Sequence, residues 1–203
     1  MRLKLFPPLS LALLLVFSTH SSFSQVKPAA TQRTIPIVVG AGISAYNPDW
    51  NSGHLLGGTL WVDYMPTFLP RRFQGLGLEA EGRDLSLNRS SSQPSNLRED
   101  VASGGVIYSW SRYYRFRPYG KFLLGYGNTD YTTSDGTRYH ESRTVTTAGG
   151  GIEVQAFHRI WARADYEYQW WPDFFKGTNP AGKLNPQGIT LGVSYHFNQP
   201  FYR

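Results

Sequence analysis

Cysteine is absent from all 203 residues, which excludes disulfide cross-links, thiolate metal sites and a lipid anchor attached through a cysteine. Long apolar runs are missing beyond the amino terminus. A helix needs about 20 consecutive apolar residues to cross a bilayer, so helical spans are excluded after the first two dozen positions. Acidic charge is scarce, with 14 Asp and Glu against 20 Lys and Arg and a formal net charge of +6. The basic residues are scattered rather than striped, so no nucleic-acid partner is expected.

The one apolar run, residues 9–17, follows Arg2 and Lys4 and precedes the small-x-small sequence Ser22-Phe23-Ser24. It is roughly ten residues long, the length of a secretory signal core rather than of a membrane anchor. Residues 1–24 are therefore read as a cleaved signal peptide, with the mature chain starting near Gln25. Cleavage removes two basic residues and no acidic one. Residues 25–34, polar and interrupted by Pro28, are read as a flexible lead, and residues 35–203 as one domain.

Aromatic residues make up 15% of the chain, and there are 21 glycines. From Pro36 onward the apolar positions recur with period two. The clearest stretch places Ile160, Ala162, Ala164, Tyr166, Tyr168 and Trp170 on one face, and Arg163, Asp165, Glu167 and Gln169 on the other. No helical period produces that separation. The same reading predicts eight strands at 35–46, 54–65, 73–86, 99–112, 116–130, 140–157, 159–172 and 186–198.

One face of these strands is aliphatic and aromatic. The other collects Asp63, Glu79, Glu81, Arg83, Lys121, Glu153, Arg163, Asp165 and Glu167, interleaved with glycines such as Gly40, Gly77, Gly127 and Gly192. Connections alternate in length: 47–53, 87–98, 131–139 and 173–185 are polar and mostly long, whereas those after the even strands are tighter and carry Arg71, Arg72, Arg115 and Arg159. Long loops at one end and short turns at the other are the habit of outer-membrane barrels. A lumen of eight strands has little room for a full set of aromatic rings. The apolar face is therefore expected to meet lipid, with the charges and glycines inside. The fold class expected is all-β: an eight-stranded antiparallel up-and-down transmembrane β-barrel.

On these strands, and on the last one above all, the chain resembles the small outer-membrane β-barrel superfamily of the outer-membrane protein A transmembrane domain, the opacity proteins and the attachment-invasion proteins. The last strand, residues 188–197, alternates Ile189, Leu191, Val193, Tyr195 and Phe197, similar to the signal read by the barrel-assembly machinery. Six residues follow Phe197, whereas that signal commonly ends a chain. The resemblance implies residence in the outer membrane of a Gram-negative-type bacterium, with lipid, lipopolysaccharide and the assembly machinery as partners, and a monomer.

The inward charges are read as a compensated network, Arg83, Lys121 and Arg163 against Glu79, Glu81, Glu153, Asp165 and Glu167, which plugs the barrel rather than lining a pore. A narrow porin-like channel is the alternative. A lipid-modifying enzyme is a remote third reading: His140 and Ser142 resemble part of the Ser, His and carboxylate set of outer-membrane lipid A deacylases. Arg143 stands where that family has Asn. Glu153 has the opposite parity and lies about 35 Å along the strand from Ser142 at the usual rise per residue, whereas a triad needs contact. No enzyme activity, cofactor or metal is therefore expected. His54, His158 and His196 are read as solvent or interface residues, Trp170 and Trp171 as interface anchors, and the loop 173–185, with Phe174, Phe175, Lys176 and Lys183, as the best candidate for surface contact.

Overall fold

A computed structural model describes residues 35–48, 54–66, 68–88, 97–110, 115–132, 137–174 and 182–197. They form β1 (Ile37–Asn47), β2 (His54–Tyr64), β3 (Leu76–Asn88), β4 (Leu97–Ser109), β5 (Phe116–Thr132), β6 (Arg138–Gln155), β7 (Ile160–Phe174), β8 (Gly182–Leu184) and β9 (Gln187–His196), with a single 3-10 turn at Arg71–Phe73. Every neighbouring pair is antiparallel. β1 pairs with β2 on one side and with β9 on the other, and β9 pairs with β7, so the sheet closes on itself. Eight staves result, because β8 pairs only with the far end of β7 and β9 takes over after Asn185 and Pro186. A proline has no N–H to give to a ladder, and the exchange between the two short strands falls there.

Closure leaves no unpaired edge along the wall, the condition for strands to lie in hydrocarbon. The outward face is apolar over its middle, with Ile43, Leu60, Leu78, Phe122, Leu124, Leu191 and Val193 exposed, and no other layer covers it among the described residues. Aromatic residues stand on the same wall, among them Tyr126, Tyr166, Trp170 and Tyr195. On β7 the parity is sharp: Tyr166 is 50% exposed and Glu167 only 1%.

The observed strands match the eight expected ones to within a few residues at each end, with one correction. Asp173 and Phe174 continue β7, and Gly182–Leu184 pairs back onto it. The expected loop 173–185 is therefore shorter, and Phe175 and Lys176 lie outside the described residues. Residues 1–34, the expected signal and lead, lie outside them as well.

Candidate functional site

The lumen is built by the inward positions of all eight staves and is filled in layers. β3 and β7 stand on opposite walls, four staves apart in either direction. Arg163 on β7 reaches across to Glu79 on β3, with Nη2 donating to Oε2 at 2.8 Å, and to Asp63 on β2 at 3.3 Å. Arg83 on β3 reaches back to Glu167 on β7 and holds Glu81 beside it. Lys121 on β5 joins the two groups: its Nζ contacts Glu81 at 2.7 Å, Glu79 at 3.0 Å, Asp165 at 3.3 Å, and also Glu167. Three cations thus serve four acidic residues on β3 and β7 together with Asp63, and all are buried.

Aromatic side chains share this interior, at positions of inward parity that were not singled out from the sequence. Tyr46 donates to Glu167 at 2.7 Å, and Tyr119 donates to Asp165 at 2.8 Å. The Arg83 guanidinium lies 4.3 Å from the centre of the Tyr46 ring, and that of Arg163 lies 4.5 Å from Tyr119 and 4.6 Å from Trp61. Such stacking is favoured when the cation is held away from water. Glycine makes room for the indoles: a Cβ on Gly40 would run into the Trp61 ring, and one on Gly127 into Trp171. The inward glycines thus accommodate indoles as well as long charged chains. Trp171 is buried, so of the Trp170-Trp171 pair only Trp170 faces outward.

Toward the loop end the character of the lumen changes. Tyr46, Leu55, Leu85, Leu97, Val101, Val145, Trp171 and Leu184 form one buried apolar cluster across the bore. Glu99 is buried on the same wall and was missed from sequence, although its odd parity on β4 beside Leu97 and Val101 was the available signal. At the opposite end, Glu153 is separate from the central charges. His196 Nε2 lies 3.5 Å from its carboxylate, and Ser194 donates to it at 3.2 Å. The His196 ring packs on Trp161, centroids 4.9 Å apart, and the Arg117 guanidinium lies 4.2 Å from the centre of the same indole. His196 is therefore a lumen residue and not a solvent or interface one, because the last strand keeps its alternation to the end. A cavity of about 180 Å³ remains here, bordered by Asp63, Arg117, Glu153 and His196.

The outer wall carries polar groups near the loop end of β5 and β6. The register sets Asn128 opposite Ser142 and Asp130 opposite His140. His140 Nδ1 lies 2.5 Å from Asp130 Oδ1, His140 Nε2 lies 3.4 Å from Ser142 Oγ, and Ser142 Oγ donates to Asn128 Oδ1 at 2.6 Å. Glu153 takes no part in this cluster. Across the wall, Arg98 on β4 pairs with Asp84 at 2.8 Å and Asp100 at 3.4 Å, Arg98 and Asp84 exposed and Asp100 half-buried. Among the described residues no group of three or more His, Asp or Glu side chains is placed to hold a metal ion.

A closed eight-stave barrel with an apolar outer wall and a charged interior is the arrangement of an outer-membrane protein. The chain matches the family described as outer membrane protein beta-barrel domain over residues 9–197. The chain belongs to this family. Membership in a family of outer-membrane barrels implies the Gram-negative outer membrane as its location, and lipid as its surroundings. Among solved structures it is similar to neisserial surface protein A (13% identity, TM-score 0.57, covering 79% of this chain and 95% of that one). It is also similar to Ail, the attachment invasion locus protein of Yersinia pestis (16%, 0.53, 78% and 95%), and to the outer membrane protein OprG of Pseudomonas aeruginosa (10%, 0.53, 78% and 94%). At these identities the likeness is one of fold. No curated protein matches the chain in sequence closely enough to count as a relative.

Proposed function

We propose that this barrel is a surface scaffold of the outer membrane whose lumen is closed, and that it acts through its loops and outer wall rather than by conducting solutes. The observation that carries this reading is the filling of the bore by two unlike plugs in series. One is the charged layer bridged from wall to wall by Arg163–Glu79 and Arg83–Glu167, and the other is the apolar cluster around Leu55, Leu85 and Trp171. An ion passing the first would have to break compensated pairs in a water-poor space, and the second offers it no polar partner. A narrow channel is the alternative reading, and it requires both plugs to move.

Residues 1–24 serve in this account as the export signal and residues 25–34 as the lead into β1. The outward stripe Ile189, Leu191, Val193, Tyr195 and Phe197 on β9 and just beyond it is the assembly signal for the barrel-assembly machinery. The barrel works as a monomer, with lipopolysaccharide as the surface partner. The segment joining β7 to β8 is the contact element, since loops on a rigid frame carry binding and Lys176 supplies charge complementary to an anionic saccharide. Replacing residues 175–181 with Asn-Gly tests this. The variant is expected to keep heat-modifiable mobility, the mark of a folded barrel, and to lose most of its association with lipopolysaccharide. Unchanged association by the folded variant would contradict a binding role for the segment.

A further inference from the structure

The barrel reading leaves His140 and Ser142 unused, yet the cross-strand register gives them a partner that no single strand contains. Asp130 arrives from β5 and engages His140 Nδ1, which leaves Nε2 facing Ser142 Oγ. Each ring nitrogen thus has its own neighbour, a carboxylate on one side and a hydroxyl on the other. That is the order of a base that is oriented by an acid and takes the proton of a nucleophile. The 3.4 Å separation is loose, as such contacts often are without substrate.

Two further observations say what such a serine would meet. Asn128, which accepts the Ser142 hydroxyl, also borders a trough of about 830 Å³ on the outer wall. The trough is floored by Gly82 and Ala102 and flanked by Leu56, Leu60 and Tyr126. It is shallow and open, because the small residues Gly82 and Ala102 stand between Leu60 and Tyr126 in the ladder. The second observation is depth. Tyr126 is outward and pairs with Thr144, two residues along the strand from Ser142, or about 7 Å. Interfacial tyrosines mark the headgroup level, and that is where the ester carbonyls of membrane lipids lie, above their acyl chains.

We propose that Asp130, His140 and Ser142 form a serine hydrolase site on the outer wall that cleaves acyl esters of membrane lipids, with the acyl chain in the trough beside Asn128. The Ser142 hydroxyl turns from Asn128 Oδ1 to His140 Nε2, and its oxygen bonds to the ester carbonyl carbon as its proton passes to that nitrogen. The carbon–alkoxide bond then breaks, and the alkoxide leaves with that proton. Water, deprotonated by His140, attacks the acyl-serine, releases the fatty acid and returns the proton to Ser142. Asp130 holds the imidazole in the required tautomer and faces the charge that forms on it.

The test uses the full barrel, refolded and inserted, in two arms: vesicles of phosphatidylethanolamine with phosphatidylglycerol, and the same vesicles containing lipopolysaccharide. Fatty acid release is followed by mass spectrometry, and a fluorophosphonate probe reports a reactive serine. We expect release in one or both arms, and the arm that responds tells a glycerol ester from a saccharide ester. Ser142→Ala should abolish both release and labelling, His140→Gln should lower labelling at least 100-fold, and Asp130→Asn should lower it less. None of the three should alter heat-modifiable mobility, because these side chains lie outside the lumen. Folded protein that neither releases fatty acid in either arm nor labels at Ser142 would overturn the proposal, and would leave the scaffold reading untouched.

Discussion

Arg163 and Glu79 meet across the diameter of the barrel, guanidinium to carboxylate at 2.8 Å, although they are 84 positions apart in the chain. The contact joins β7 to β3, which share no backbone ladder. It therefore sets the distance between opposite walls, a property that strand pairing alone leaves adjustable.

Removing one member of such a pair leaves a buried charge without compensation, which typically costs about 3–5 kcal/mol. Arg163→Met is expected to destabilise the barrel by about that amount in folding titrations into lipid vesicles. Adding Glu79→Gln should cost less than the sum of the two single changes, with a coupling of about 0.5–3 kcal/mol. Additive effects would mean that the two side chains do not meet.

The parity of β7 gives a second expectation. Ala164 faces outward between the inward Arg163 and Asp165. Near the bilayer midplane Ala164→Arg should cost about 2–4 kcal/mol, whereas Glu167→Gln acts on the interior network that holds Arg83, Lys121 and Tyr46. A harmless Ala164→Arg in the same vesicle titrations would show that the faces are reversed.

The indole placements can be tested by size exchange. Gly127→Leu puts side-chain atoms where Trp171 packs, an overfilling expected to cost about 1–3 kcal/mol. Combining it with Trp171→Ala should recover part of that loss and return near-ultraviolet signals that the single change disturbs. A penalty of equal size in both backgrounds would place Trp171 elsewhere.

The strands and their faces were legible because period-two alternation survives along each of them. Ile160 to Trp170 set against Arg163 to Gln169 is enough to define β7, and the short basic turns against long polar loops are enough to tell one end of the barrel from the other. What lay out of reach depends on neighbours that sequence order does not supply. Asp130 is ten residues from His140 in the chain but directly opposite it in the ladder, so spacing along one strand does not reveal it. The inward Trp61, Trp161 and Trp171 were obscured because an aromatic residue suits either a membrane interface or a tight lumen. The glycines that receive two of these rings lie on other strands, Gly40 on β1 for Trp61 and Gly127 on β5 for Trp171. His196 required only the parity of the last strand to be carried one residue past Tyr195.

Planar-bilayer recording of the refolded, heat-modifiable barrel tests the closed lumen most directly. A barrel closed by the Arg163–Glu79 layer and by the Leu55, Leu85 and Trp171 cluster should add no conductance to that of the lipid alone, across a range of voltage and in concentrated salt. Reproducible single-channel steps from the same preparation, abolished when the protein is unfolded by boiling, would contradict it.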